Sequence, residues 1–353
     1  MSRNKKNRLL LVSDSLSYPI DEGVKNISFN LLKELKCSEY NILAINPKSN
    51  QNISDNNIKG INSNKYLLNY RLFDTIRSFK PDVTLYIPIP GRLFGTLLKS
   101  FIIKLYSKSS IVVYQLQPFH DASIITKILA FLLRNKIGFF VASQNTKNFL
   151  LHLGFKASLL FPGVDVERFR PVDEETRSKL KIKYNLDPLK KYALHIGHLN
   201  KGRNLISLIN DLKNSSFSLI LVVSESILQD EKILSYINKY DIKIINSYVD
   251  DIQEIYQIVD LYIFYVNDTG SAIEIPLSVL EAMSTNLPVI TTKFGGLMDM
   301  FPEKISDLVF LKEGDCLLDY LNNISSKQRL ILTRNSVIKY SWKKCLQQVN
   351  LSI

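Results

Sequence analysis

Two stretches of the chain carry residue types at spacings that could hold a diphosphate and the sugar hydroxyls beside it. The first runs from Ala272 to Gly296. Its segment Ile273-Glu274-Ile275-Pro276-Leu277-Ser278 reads as a loop entering a helix. Pro276 stands where a first-turn proline would, and Val279, Leu280 and Met283 recur at helical spacing. Leu287 to Thr292 reads as a short buried strand, closed by a turn at Gly295-Gly296. Glu281 therefore falls about one turn into the helix. Free amides and the dipole at a helix mouth favour an anion, and a nearby carboxylate can accept two vicinal hydroxyls. A nucleotide's pyrophosphate and ribose would need that combination. An ordinary loop–helix–strand with Glu281 as a solvated helix residue fits the same residues.

The second stretch is Gly197-His198-Leu199-Asn200-Lys201-Gly202-Arg203-Asn204, between an apolar strand, Tyr192 to Gly197, and a helix, Leu205 to Leu212. A strand, a glycine turn bearing cations and a helix start together make a pyrophosphate cradle. The alternative is a surface loop with scattered Lys and Arg.

The elements that must position these groups alternate. Strands are expected at Leu9–Val12, Tyr40–Ile45, Val83–Ile87, Ile111–Tyr114 and Ile137–Ala142, with helices at Val24–Leu35, Tyr70–Phe79 and Ile124–Leu133. A polar stretch, Pro47 to Asn64, follows the second strand. This alternation predicts doubly wound parallel sheets, whose ligands gather beyond the carboxyl ends of strands. Gly23, ahead of the first helix, lets a backbone amide approach a ligand. Gln117 and His120 follow the Ile111–Tyr114 strand and can point into the same space. Ser143 is a plausible cap for the helix running toward His152. Arg92 to Lys108 is a basic helix of the kind that can lie on an anionic membrane. Its apolar residues nearly encircle it, which favours burial against the sheet. The second half repeats the pattern, with strands at Leu219–Val223, Ile242–Ile245 and Asp260–Phe264.

Composition bounds the partners. The 353 residues suggest two domains, 46% of them are hydrophobic and mean hydropathy is +0.01. No apolar run is long enough to span a bilayer, and Leu9–Val12 after the basic start reads as a strand rather than a signal peptide. Cys37, Cys316 and Cys345 are too few and scattered for a disulfide framework or a metal site, and fit a reducing cytosol. The net charge of +12 is uneven: residues 1–165 carry 22 Lys and Arg against 10 Asp and Glu, whereas 166–353 carry 23 of each. An anionic partner for the first half would be an acidic membrane face, a phosphate-bearing acceptor or nucleic acid; a merely solubilising surface is the simpler alternative. No aromatic-interleaved RNA motif or zinc pattern supports nucleic acid.

Glu281-Ala282-Met283 with Leu287-Pro288-Val289 resembles the donor-binding signature of family 4 glycosyltransferases, in which two glutamates are separated by seven intervening residues. The resemblance extends to Phe161–Pro171, similar to the family's interdomain segment, and to Ser341-Trp342. It implies the GT-B arrangement: two Rossmann-like domains facing each other across a cleft. These are an acceptor-binding domain over 1–165, a sugar-nucleotide-binding domain over 166–335, and a helix over 336–353 crossing back to the first. The activity implied is retaining transfer of a hexosyl group from a nucleotide-sugar co-substrate, UDP- or GDP-linked, to a glycan or lipid-linked acceptor, with no metal and no other cofactor. Glu281 would hold the ribose, Arg203 would neutralise the leaving diphosphate, and Gly197, His198 and Lys201 would line its loop. Pro276, Leu277 and Ser278 would supply the helix mouth, Val249 would lie by the base and Gly23 near the phosphate. His120 or Gln117 would face the reacting sugar. The family's first glutamate corresponds to Ile273, and Glu274, one place on, is the nearest carboxylate. A cytoplasmic protein, peripheral on the inner face of the membrane, is the expected setting. The alternatives are an inactive relative that binds a sugar nucleotide or a partner, and a basic nucleic-acid-binding module.

Overall fold

The computed structural model describes residues 7–54, 57–89, 91–119, 122–223, 229–240, 242–325 and 333–347. The chain divides into two compact units, one of residues 1–162 with 342–353 and the other of residues 163–341.

The first unit is built on a seven-stranded parallel sheet of β1 (Arg8–Ser13), β2 (Asn41–Asn46), β3 (Ile58–Gly60), β4 (Val83–Ile87), β5 (Ser110–Gln115), β6 (Ile137–Val141) and β7 (Lys156–Leu159), in the order β3-β2-β1-β4-β5-β6-β7. Its central strands are continuous apolar runs because helices cover both faces. Leu11 of β1, for example, registers with Ala44 of β2 and Leu85 of β4. Leu10, Val12, Ile45, Tyr86, Val113 and Phe139 anchor its core. Two strands escape the sequence expectation. β3 lies within the stretch expected to be polar loop, and β7, whose sequence is Lys-Ala-Ser-Leu, is too short and mixed to show an apolar pattern. Both are edge strands, where a full apolar run is not needed.

The second unit holds a six-stranded parallel sheet of β8 (Lys191–Ile196), β9 (Phe217–Val222), β10 (Lys243–Ile245), β11 (Leu261–Phe264), β12 (Val289–Thr292) and β13 (Leu308–Leu311), in the order β10-β9-β8-β11-β12-β13. Ala193, Leu219, Leu221, Ile263 and Ile290 pack its core with Leu205, Leu208 and Leu212 of the helix after β8. Strand order reverses between β1 and β4 in one sheet and between β8 and β11 in the other. Loops leaving the carboxyl ends at such a point diverge to opposite faces and open a crevice for ligands. At the foot of the second unit, Val164 donates its N–H to the Tyr340 carbonyl at 3.0 Å and bridges Ser341. The helix Trp342–Gln347 then packs on Gly23–Lys36 within the first unit, burying Trp342 and Cys345.

The expected helix over Arg92–Lys108 forms as Leu93–Ser107 and buries Leu93, Leu97 and Ile103. Ser143 caps Gln144–His152, its Oγ accepting the Thr146 N–H at 3.1 Å.

Candidate functional site

Both phosphate-type stretches leave the switch point of the second sheet. After β8 the chain turns at Gly197 and makes one tight turn, Lys201–Arg203, before the helix Leu205–Leu212. Arg203 folds back over the glycine: a Cβ at Gly197 would sit 2.8 Å from Nη1 and 2.9 Å from Cζ, so a larger residue would displace the guanidinium. That guanidinium lies 5.6 Å from the centroid of the Phe264 ring on β11. Arg203 is buried, its Nε has no hydrogen-bond partner, and among the described residues no carboxylate forms an ion pair with it. Burial works against its charge and lowers its pKa. A buried cation without a counter-charge is costly, and an arriving anion relieves that cost.

His195, one turn of the pleat before Gly197, is also buried. Its Nδ1–H donates to the Ile263 carbonyl at 2.9 Å. Burial, and then the charge on Arg203, lower its pKa to about 3, so the imidazole beside the guanidinium is neutral at physiological pH.

The stretch from Ala272 to Gly296 is held by contacts that no short run of the sequence shows. The loop after β11 makes a short turn at Thr269–Ser271, in which Asp268 Oδ1 accepts the Gly270 N–H at 3.0 Å and Oδ2 accepts the Ser271 hydroxyl at 2.8 Å. Gly202 of the Arg203 loop packs on this turn so closely that a Cβ there would lie 1.8 Å from Ser271 Oγ. The two loops are therefore interlocked. Further on, the Glu274 carbonyl accepts the Gly296 N–H at 2.9 Å, and Gly295, at φ +52°, leaves only 2.1 Å between a built Cβ and that same carbonyl oxygen. The Gly295-Gly296 pair thus clamps the backbone at Glu274 as well as making a turn.

Pro276 is the N-cap of the helix Leu277–Ser284 rather than a residue of its first turn, and β12 begins at Val289, two residues later than the expected strand. Glu281 is not a solvated helix residue. It is buried, and Oε2 accepts the Tyr256 hydroxyl at 2.7 Å. Burial raises its pKa to about 7, against the opposing pull of the Tyr256 hydrogen bond and the Arg168 charge. Tyr262 on β11 joins the two stretches electrostatically. Burial and the Glu281 charge push its hydroxyl up, while Arg203 pulls it down. Arg203 and Glu281 therefore act on one side chain within one unit.

The structure thus brings Gly197, His198, Lys201, Arg203, Glu274, Pro276, Leu277, Ser278 and Glu281 to the carboxyl edge of one sheet. Lys201 is exposed there and His198 half-buried. Val249 leaves the same edge in the loop after β10, two strands from β8. Gly23 and Gln117 belong to the first unit: Gly23 opens the helix after β1, and the Gln117 carbonyl accepts from Gln115 Nε2 at 2.7 Å after β5. His120 lies outside the described residues. Sequence reasoning missed His195, Tyr256, Tyr262, Asp268 and Ser271, whose roles depend on tertiary neighbours. It also missed a polar cluster at the switch point of the first sheet. There the buried Asp14 carboxylate pairs with Lys99 at 2.8 Å, and Asp14 Oδ1, Tyr86 Oη and Gln115 Oε1 are buried without partners. Only the position of Asp14 just past a first strand could have pointed to it.

Paired parallel sheets with glycine-bearing loops at their switch points define the GT-B class, and the fold is that of solved members. A glycosyltransferase from Rickettsia africae ESF-5 aligns with a TM-score of 0.76 at 17% identity, over 98% of this chain and 97% of that one. Anabaena Alr3699/HepE in complex with UDP-glucose aligns with a TM-score of 0.72 at 14% identity, over 96% and 97%. Residues 190–324, within the second unit, match the family described as "Glycosyl transferases group 1". The sulfoquinovosyl transferase SQD2 of Arabidopsis thaliana is 24% identical over 250 residues, 67% of this chain; the match spans 47% of that protein's length.

Proposed function

We propose that the protein is a retaining glycosyltransferase, whose second unit binds a UDP- or GDP-linked sugar and whose first unit holds a glycan or lipid-linked acceptor. The observation that carries this reading is the buried guanidinium of Arg203, packed on Gly197 at the switch point and without an ion-pair partner among the described residues. A diphosphate there supplies the missing charge through bidentate hydrogen bonds, and Glu281, ionised, accepts the ribose hydroxyls. In the reaction the bond from the anomeric carbon to the diphosphate breaks, a bond to the acceptor oxygen forms, and the acceptor proton passes to the departing diphosphate or a nearby base. Arg203 stabilises the charge that develops on the diphosphate. The UDP-glucose complex of the Anabaena neighbour supports a uridine donor as the first to test. Among the described residues no group of three or more His, Cys, Asp or Glu side chains could hold a metal ion. Transfer is expected to persist in a chelator.

Arg203→Ala is expected to weaken UDP-glucose binding by roughly a hundredfold, the worth of a lost charged hydrogen-bonding partner, and to abolish donor hydrolysis or transfer. Isothermal calorimetry and a product assay read the two effects. Unchanged affinity in the variant removes the diphosphate from this loop.

Ile273, buried where the resemblance calls for a glutamate, favours a second reading: a relative that binds the nucleotide sugar without transferring it. Binding without turnover above background, with every plausible acceptor, would decide for it.

A further inference from the structure

The helix Ile124–Leu133 of the first unit is turned inside out. Inward it presents Thr126, Ala130 and Leu133. Outward it presents its bulk, with Ile124 77%, Ile125 67%, Ile128 59%, Phe131 63% and Leu132 59% exposed. These five recur at the spacing of one helical face. Scattered exposed apolar residues are ordinary, but a contiguous face of this size on one helix marks an interaction surface.

The surroundings specify what covers it. From Val83 to Val164 the sequence holds nine Lys and Arg and a single carboxylate, Asp121. Lys127 lies on the helix itself and is exposed. Arg134 follows it, its guanidinium 4.2 Å from the centroid of the Phe131 ring. Lys136 comes next and lies close enough to Lys104, on the packed Leu93–Ser107 helix, for the two ammonium charges to repel and help lower the Lys104 pKa, after burial. The apolar face is thus rimmed by cations. A second copy of the chain docking face to face would set basic rim against basic rim, because a twofold contact pairs a patch with itself. An anionic bilayer satisfies both features, taking the apolar face into the headgroup–acyl boundary while its lipid charges meet the rim.

We propose that the Ile124–Leu133 face docks the protein on an anionic membrane surface. The Arg92–Lys108 helix, the sequence's own candidate for this role, instead spends much of its apolar surface on the core. Among the described residues no helix is long and apolar enough to cross a membrane, so the association is peripheral. It does not rest on the transfer reaction and is read without it.

The test is co-sedimentation of the full chain with phosphatidylcholine vesicles, with and without phosphatidylglycerol. The protein is expected to pellet with the anionic vesicles and to be released by salt, since surface charges are screened beyond about 10 Å at 0.1 M. Little should pellet with the neutral ones. Ile128→Asn with Phe131→Asn should lower partition at least about tenfold while leaving the thermal transition and UDP-glucose affinity unchanged, because neither side chain supports the core or the donor site. Lys127→Glu with Lys136→Glu should lower it without touching the apolar face. No binding to anionic vesicles at low salt overturns the proposal. So does undiminished binding by the asparagine variant, or a dimer in sedimentation velocity that the same substitutions dissolve, which would assign the face to a second copy.

Discussion

At the scale of single residues, the candidate donor site trades stability for readiness. Glu281 titrates near 7 in the folded chain against an ordinary 4.5. Between those values the folded protein keeps a proton that the unfolded chain has lost. The contribution of Glu281 to stability is therefore fully present below about pH 4.5, falls as pH rises toward 7, and is flat above. Glu281→Gln, neutral at every pH, is expected to be more stable than the parent at pH 8, by at most about 3 kcal/mol, and equal to it near pH 4.5. Urea titrations at the two pH values measure this. Binding should run the opposite way. If the ionised carboxylate holds the ribose, UDP-glucose binds about tenfold more weakly at pH 6 than at pH 8, in proportion to the ionised fraction, and the glutamine variant loses that slope. A flat pH profile in the parent protein would detach Glu281 from the donor. A group that costs stability when empty and is relieved by its ligand is expected of a binding site rather than of a scaffold.

At the scale of elements, the decisive contacts are those between loops. Gly295 illustrates why. It combines a positive φ with contact against the Glu274 carbonyl, whereas Gly314, at φ +88°, has open space around it. Gly314→Ala should therefore cost only the backbone strain, about 1 kcal/mol, and leave UDP-glucose affinity intact. Gly295→Ala should cost more and weaken binding, because the Glu274–Pro276 segment must shift away from the Leu277 helix start. Equal effects of the two substitutions on binding would show that the clamp does not position the site. This contrast also shows where the sequence is legible. Buried strands such as Leu9–Val12 and the Ser143 cap are written locally, in apolar runs and short-range hydrogen bonds. The clamp joins residues more than a helix and a strand apart in the chain, and Gly295-Gly296 alone spells only a turn. Tyr256 and Tyr262 read as ordinary core aromatics, since nothing adjacent to them in sequence indicates that Glu281 and Arg203 are their neighbours. The Ile124–Leu133 helix was legible as a helix, but which face it buries is decided by the sheet.

At the scale of the whole molecule, the chain passes from the first unit to the second after Pro162 and returns at Trp342. Trp342 is the sole tryptophan of the sequence and is buried where the returning helix packs on Gly23–Lys36. Its fluorescence therefore reports the first unit, while circular dichroism reports both. If the donor is held by residues of the second unit, UDP-glucose stabilises that unit by mass action, by roughly 2.7 kcal/mol at a hundredfold excess over its dissociation constant. The dichroism transition is expected to move up and separate from the fluorescence transition, which should move little. Transitions that coincide with and without ligand would mean that the two units unfold as one cooperative body. A fluorescence transition that shifts alone would place the nucleotide in the first unit, against the assignment built on Arg203.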